Sequence, residues 1–271
     1  MRDILNKVFL FADYSQAEAR VVAWAGPVPA MKTWFTTGED IHLNVARLIG
    51  RVVHENKIAM PHGLWSKPWQ EIEKKDVERQ YAKNTVHGNN YDMGAIKFGL
   101  ITGLPLKYAR IVQDVYHSIF PEIRGNYHRW IRDELNRDRT LTNPQGWKRT
   151  FYDAYSSDLE RAAYAWYPQS TIGLLTIRTL THVCEVFKRE LREAKVQNPK
   201  GIRAMGLDVQ LQVHDSIGVV LPDDPTVVAG AARMIKKIGE SPLMIKGETL
   251  VVPMDFKCGP SWGDQHDYFI P

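Results

Sequence analysis

The chain has 271 residues, of which 44% are hydrophobic and 24% charged, so it can bury a sizeable core and does not have the composition of a disordered chain. Its 35 basic and 31 acidic side chains give a net charge of +4, which is compatible with a polyanionic partner but is weak support for one. Only Cys184 and Cys258 are present, in no metal-binding or disulfide pattern. No signal-peptide pattern and no apolar run of roughly 20 residues occurs, so we expect a cytoplasmic protein with no membrane partner.

The first elements place an aspartate at a strand end. The apolar run Val8–Ala12 predicts a buried strand, and Ser15–Glu18 matches a capping box that opens a helix through about Ala25. Asp13 therefore lies where strand meets helix. A further helix is predicted from about Asp40 to Ile49.

The middle of the chain is predicted to be mainly helical. A helix is expected from Asp76 to about Tyr91, and apolar spacing favours two or three more up to Asn136. The segment Asn143–Gly146 is a turn signal, and a long helix is expected over about Thr171–Ala194.

Near the C-terminus the hydrophobic period changes to that of strands. Alternation over Val209–Val213 and an apolar run over Ile217–Leu221 predict a β-hairpin with Asp215 at its tip. A last helix over about Thr226–Ile238 and a strand near Leu250–Phe256 follow.

Asp13 and Asp215 are candidates for a metal pair. Two carboxylates at strand ends, far apart in sequence, suit a fold that holds two magnesium ions about 4 Å apart for in-line phosphoryl displacement. Taken alone, however, each aspartate is more simply a turn residue that bonds its local backbone.

A second pattern favours phosphate chemistry. Arg79, Lys83 and His87 recur every fourth residue and form one stripe, roughly 12 Å long at about 1.5 Å per residue, which suits a bound triphosphate. The alternative is an ordinary solvated face whose cations pair with the nearby acidic residues Glu71, Glu73 and Glu78.

Two further residues have two readings each. Glu18 either accepts the backbone N–H of Ser15 in the capping box or serves a ligand. His42 is either an ordinary histidine or a ligand contact.

Three segments resemble the motifs of the A-family DNA polymerases, in the family's order. The segment Asp13–Arg20 (DYSQAEAR) is similar to motif A, DYSQIELR, at six of eight positions. The residues from Arg79 to Tyr91 are similar to motif B, and Val213–Ser216 (VHDS) is similar to motif C, VHDE. The segment Lys257–His266 resembles the family's C-terminal KxGxxWG ending.

The resemblance implies an α+β (mixed α/β) fold, a polymerase palm with an antiparallel sheet plus a mainly helical fingers subdomain. Residues 1–25 and 139–271 would be mainly palm and residues 26–138 mainly fingers. The family's thumb and exonuclease domains are not matched, so a split or truncated polymerase is expected, with a separate chain supplying both, in the host cytoplasm if the chain is viral.

The resemblance also implies a template-directed DNA polymerase that uses two Mg²⁺ ions, dNTPs and primer-template DNA. Asp13, Asp215 and the Tyr14 carbonyl would bind the metals, and Lys83 would act in catalysis. Glu18 would exclude a 2′-hydroxyl. The implied nucleotide-binding residues are Gln16, Glu18, His42, Arg79, Lys83, His87 and Tyr91. The implied DNA-binding residues, at the minor groove, are Arg161, Gln169 and His214.

Four departures from the family pattern keep other functions open. His87 replaces a Phe or Tyr, Asn89 and Asn90 replace an apolar pair, and Ser216 replaces the motif C Glu. A two-metal nuclease would use the same carboxylates without the helix from Arg79, whereas a DNA-binding remnant would have lost catalysis.

Overall fold

In the computed structural model of the protein, residues 7–197 and 208–271 are described, and they fall into two compact units. We call residues 7–17 and 170–271 the sheet unit, and residues 18–169 the helical unit. The helices are α1 (Ala17–Ala25), α2 (Pro29–Thr36), α3 (Ile41–Glu55), α4 (Val77–Asn90), α5 (Ala95–Thr102), α6 (Leu106–Ile119), α7 (Arg129–Arg137), α8 (Ser157–Gln197) and α9 (Pro225–Gly239). The strands are β1 (Lys7–Tyr14), β2 (Thr140–Thr142), β3 (Lys148–Thr150), β4 (Asp208–Val213), β5 (Ser216–Pro222), β6 (Leu243–Ile245), β7 (Glu248–Leu250), β8 (Met254–Ser261) and β9 (Asp264–Asp267).

The sheet unit is built on a five-stranded sheet in the order β4-β5-β1-β8-β9, with every neighbouring pair antiparallel. Because side chains alternate across a strand, β1 buries Leu10 and Ala12 on one face and carries Asp13 on the other. Helix α9 packs against β1, β5 and β8. The predicted mixed fold with an antiparallel sheet is confirmed.

Tyr14 fixes the end of the central strand. Its ring is buried, and its hydroxyl lies 2.8 Å from both the Thr179 hydroxyl and the Gly239 carbonyl, to which it donates. Burial raises the pKa of Tyr14 to about 12, so the hydroxyl stays protonated. Gly239 leaves room for this approach, because a Cβ there would lie 3.2 Å from the Tyr14 hydroxyl oxygen and would clash with the Met254 sulfur. The strand that carries Asp13 is therefore anchored immediately after that residue.

In the helical unit, α4 packs against α3, α5 and α6. Trp65 helps to hold α3 and α4 together: its indole N–H donates to the Ala46 carbonyl of α3 (2.8 Å), and its backbone N–H donates to the Glu78 carboxylate of α4 (3.0 Å). The polar Asn90 of α4 is buried with matched partners, since its Oδ1 accepts from the Tyr116 hydroxyl (2.7 Å) and its carbonyl lies 2.8 Å from His128 Nε2. The polar replacement at position 90 therefore fits its surroundings.

The long helix begins earlier than the sequence predicts. We expected a start near Thr171, but α8 starts at Ser157 and continues through Pro168. Proline has no N–H for the carbonyl four residues earlier. That carbonyl belongs to Tyr164, and the buried Tyr127 hydroxyl donates to it instead (2.6 Å). A tertiary hydrogen bond thus replaces the lost helical one.

The other predicted elements are close to those observed. Besides β1 and α1, the helices expected near residues 40, 76 and 226 and the hairpin around Asp215 are present, although α3 extends six residues beyond the expected Ile49. The last predicted strand was misplaced, because β8 begins only at Met254. No helix among the described residues is long and apolar enough to cross a membrane. The assignment of residues 26–138 to fingers and of the rest to palm stays a prediction.

The anchoring of Tyr14 predicts a stability effect. Tyr14→Phe removes the hydroxyl and leaves the buried Gly239 carbonyl without that donor, so we expect a loss of about 1–3 kcal/mol in the free energy of unfolding, measured by urea denaturation. Tyr152→Phe is the matched control, because Tyr152 is 89% exposed. Equal stability of the two variants would contradict the anchoring role.

Candidate active site

The sheet unit brings Asp13 and Asp215 together. Asp13 is near the end of β1, and Asp215 lies in the two-residue turn between β4 and β5, where the Tyr14 N–H donates to the Asp215 carbonyl (3.3 Å). The two carboxyl groups interact, since Asp215 is one of the groups that raise the pKa of Asp13. The predicted pair of carboxylates is therefore formed by the fold of one unit.

The environment of this pair of carboxyl groups changes the pKa of Asp13. Burial, and then the neighbouring Asp215, raise the pKa of Asp13 from 3.8 to about 7, with a smaller contribution from Asp255 that Lys257 opposes. Asp255 lies directly opposite Asp13 in the pairing of β1 with β8. Without a cation, Asp13 thus holds a proton to near neutral pH.

The donor set fits a divalent cation such as Mg²⁺. A bound cation neutralises the negative charge of two neighbouring carboxylates and so removes their repulsion. Mg²⁺ is commonly held by one or two carboxylates, while substrate phosphates and waters complete its coordination shell. Among residues 7–197 and 208–271, no group of three or more His, Cys, Asp or Glu side chains is arranged to hold a metal ion. A cation at Asp13 and Asp215 would therefore depend on these two carboxylates plus carbonyl, water and substrate oxygens.

The helical unit places the predicted basic stripe on α4. Arg79 is ion-paired: its Nε and Nη2 donate to Asp40 Oδ2 at 2.9 and 2.7 Å. Asp40 also caps α3 by accepting from the backbone N–H groups of His42 and Leu43. Lys83 and His87 are exposed one and two turns further along. The stripe is formed, and its first member is fixed by the cap of the next helix.

The alternative reading of the stripe does not match its contacts. In that alternative the cations pair with nearby glutamates. Instead, Glu78 is buried and accepts a hydrogen bond from the Trp65 backbone N–H, and Glu73 pairs with Lys75. Arg79 pairs instead with Asp40, 39 residues away.

His42 is buried beside this stripe. Burial lowers its pKa to about 4, and the positive charges of Arg79 and Lys83 add to that effect while Asp40 opposes it. Its Nδ1 is buried without a hydrogen-bond partner among the described residues. At neutral pH the ring is uncharged, so it would serve a ligand as a hydrogen-bonding group and not as a cation.

Glu18 lies in a cluster with Tyr91 and His87. The Tyr91 hydroxyl donates a short hydrogen bond to Glu18 Oε2, and His87 Nδ1 lies 3.6 Å from the same oxygen. The Ser15 N–H donates to the Pro253 carbonyl (2.9 Å). The capping-box role of Glu18 stays a prediction, and its carboxylate bonds a tyrosine 73 residues away.

The remaining predicted residues have other surroundings. Gln16 and His214 adopt left-handed backbone angles, with φ of 52° and 51°, and His214 is exposed at the hairpin turn. Arg161 bonds Ser157 and Asp158 of its own helix, at 3.1 and 2.7 Å. Gln169 is exposed further along α8. Their DNA-binding and nucleotide-binding roles stay predictions.

Two residues of these sites were missed by sequence reasoning. Asp40 was read only as a helix start, although an aspartate before an apolar helix also leaves one carboxylate oxygen for an arginine. Asp255 carried no signal of its own, because its place opposite Asp13 depends on the register of β8.

Comparison with known proteins identifies the family. The chain matches the family model of DNA polymerase family A over residues 3–264 and belongs to that family. It is 26% identical to DNA polymerase I of Deinococcus radiodurans and 28% identical to that of Chloroflexus aurantiacus, over 93% and 94% of this chain but 23% and 24% of those proteins. It is 29% identical to the DNA polymerase of Mycobacterium phage D29, over 49% of this chain and 19% of that polymerase. The chain thus spans about a quarter of the length of the bacterial relatives.

A solved structure supports the fold. The POL domain of Pol1 from M. smegmatis, in complex with DNA primer-template and dNTP, superposes with a TM-score of 0.65 at 20% identity. The match covers 94% of this chain and 40% of that one. The resemblance inferred from the three motifs is confirmed.

The raised pKa of Asp13 predicts a pH-dependent change in stability. A carboxyl whose pKa is raised in the folded state stabilises the fold fully below its unfolded value of 3.8, and this stabilisation is lost as the pH rises to about 7. In EDTA at about pH 8, Asp13→Asn should therefore raise Tm by roughly 2–4 °C, the shift expected for about 1 kcal/mol in a domain of this size.

The difference in Tm between Asp13→Asn and the wild type should become smaller as the pH falls below about 7. Asp114→Asn, at an exposed position on α6, is the control and should leave Tm unchanged. An Asp13→Asn variant that is no more stable than wild type at the higher pH would contradict the raised pKa of Asp13.

Proposed function

We propose that this chain is the catalytic part of a template-directed DNA polymerase, which adds deoxynucleotides to a primer 3′-hydroxyl by two-metal nucleotidyl transfer. The observation that carries the proposal is the interaction of two carboxyl groups in a family A polymerase chain: Asp13 near the end of the central strand β1, and Asp215 in the turn before β5. The M. smegmatis structure contains DNA primer-template and dNTP, which supports the same partners here.

The carboxylates would act as the metal ligands. Asp13 and Asp215, with the Tyr14 carbonyl, would hold two Mg²⁺ ions. When bound, such ions promote ionisation of the attacking hydroxyl and offset the charge of the departing pyrophosphate. Asp13 must give up its proton to serve, and its raised pKa means that this proton is lost readily only near neutral pH or when a cation is present.

The basic stripe would bind the triphosphate. A guanidinium has five N–H donors, so the two bonds from Arg79 to Asp40 leave the others for phosphate oxygens. Asp40 thereby orients Arg79 before any ligand arrives, which lowers the entropy lost on binding. Lys83, exposed on the next turn, would neutralise phosphate charge and supply a proton to pyrophosphate. His42 would contribute a neutral hydrogen bond.

Glu18 would select the sugar. Its carboxylate is held by Tyr91, which directly follows α4, the helix that carries Arg79 and Lys83, so sugar and phosphate contacts would come from one rigid group of side chains within the helical unit. Its bulk would exclude a ribose 2′-hydroxyl.

The metal assignment is tested by Asp215→Ala in a primer-extension assay. We expect incorporation to fall by at least the roughly 10²–10³-fold that loss of one electrostatic group costs an enzyme. Asp114→Ala, an exposed aspartate on α6, should retain wild-type activity. Unchanged incorporation by Asp215→Ala would refute the assignment.

The same assay separates the alternatives. Labelled duplex incubated with dNTPs is lengthened by a polymerase and shortened by a nuclease, and a DNA-binding remnant leaves it unchanged. A separate chain that supplies a thumb and an exonuclease stays a prediction. Adding such a chain should raise the number of nucleotides added per binding event, and equal processivity with and without it would contradict this idea.

A further inference from the structure

His87 and Tyr91 converge on one oxygen of Glu18. His87 lies in the last turn of α4 and Tyr91 directly follows that helix, and the two rings meet edge to face with centroids 4.9 Å apart. The Tyr91 hydroxyl bonds Glu18 Oε2, and His87 Nδ1 lies 3.6 Å from that oxygen. All three residues belong to the helical unit, so this geometry is set within one compact unit.

The two contacts differ in kind. Burial, and then the Glu18 charge, raise the pKa of Tyr91 well above the ordinary value, so the phenol remains a donor at every working pH. The distance from His87 to Glu18 is longer than a hydrogen bond, so that contact is mainly an ion pair whose strength depends on the charge of the imidazole. Tyr91 therefore holds Glu18 by a hydrogen bond, whereas His87 can attract it only through charge.

The position of His87 allows it to respond to solvent. Its side chain is 56% exposed, whereas that of Glu18 is 31% exposed. The charged and titratable groups around it are the Glu18 carboxylate, the Tyr91 hydroxyl, and His42, which also interacts with Lys83 and Arg79. Glu18 is an anion, so a protonated His87 is drawn towards it.

We propose that His87 is a positioning residue for Glu18, and that its protonation tightens discrimination between deoxyribonucleotides and ribonucleotides. The inference rests on the proposed polymerase function, in which the Glu18 carboxylate fills the space of a 2′-hydroxyl. A carboxylate held by two groups yields less to that hydroxyl than one held by Tyr91 alone. A phenyl or phenol ring at position 87, as in the family motif, carries no such charge, so the pH response is a property of this chain.

The test is single-nucleotide incorporation of dATP and of ATP opposite the same template base, at about pH 6 and about pH 8, the range in which histidines change charge. We expect the preference of the wild type for dATP to be about two- to fivefold greater at the lower pH, the effect of one partly exposed ion pair. In His87→Phe the preference should not vary with pH. In His87→Gln, which keeps a donor but has no charge, it should also be constant.

Glu18→Gln is the third variant, because it keeps the bulk and the Tyr91 contact of Glu18 but removes its charge. The preference of this variant for dATP over ATP should not vary with pH. A wild-type preference that is equal at both pH values would overturn the inference, as would a His87→Phe variant that keeps the full pH response. In both cases the polymerase proposal would stand. If wild type incorporated neither nucleotide, the polymerase proposal would fall and the sugar-selecting role with it.

A spectroscopic readout tests the contact without catalysis. The ¹³C chemical shift of the Glu18 carboxylate should move between about pH 6 and pH 8 in the wild type and stay constant in His87→Phe. The same pH dependence of this chemical shift in the two proteins would contradict the contact of His87 with Glu18, whatever the activity.

Discussion

The repulsion between Asp13 and Asp215 is the constraint on which the account depends. Antiparallel pairing of β1 with β5 brings the end of one strand beside the turn that precedes the other, and the fold then has to accommodate two interacting carboxyl groups. It does so by leaving Asp13 protonated to near pH 7 and by anchoring the strand through the buried Tyr14 hydroxyl. A site that is unfavourable when empty and ionised gains free energy from a divalent cation.

In the helical unit, a carboxylate likewise fixes the position of a positively charged side chain. Arg79 is oriented by Asp40, whose other oxygen caps α3, so one carboxylate fixes both a helix start and a cation. Glu18 is held by Tyr91, which directly follows α4, and is approached by His87 from the last turn of that helix. Local helix geometry places Arg79, Lys83 and His87 in a row, and tertiary contacts decide which of them are free for a ligand.

The sequence alone predicts the parts of this site that depend on local pattern. A strand before Asp13, a hairpin around Asp215 and the stripe on α4 follow from periodicity and turn residues, and the motif resemblance identifies the family. Features that depend on distant partners were missed or wrong: the bond from Tyr127 that carries α8 through Pro168, the pairing of Arg79 with Asp40, and the hydroxyl of Tyr91 on Glu18. In each case the deciding partner lies far away in sequence, where periodicity carries no information.

The most direct test of the central claim is a calorimetric titration of the protein with Mn²⁺ at about pH 6 in two buffers of different ionisation enthalpy. If Asp13 and Asp215 together hold the cation, binding should release up to about one proton, because Asp13 is still protonated at that pH. Asp13→Asn should bind more weakly and release none. Binding of equal strength in the variant, or binding to wild type without proton release, would contradict the account.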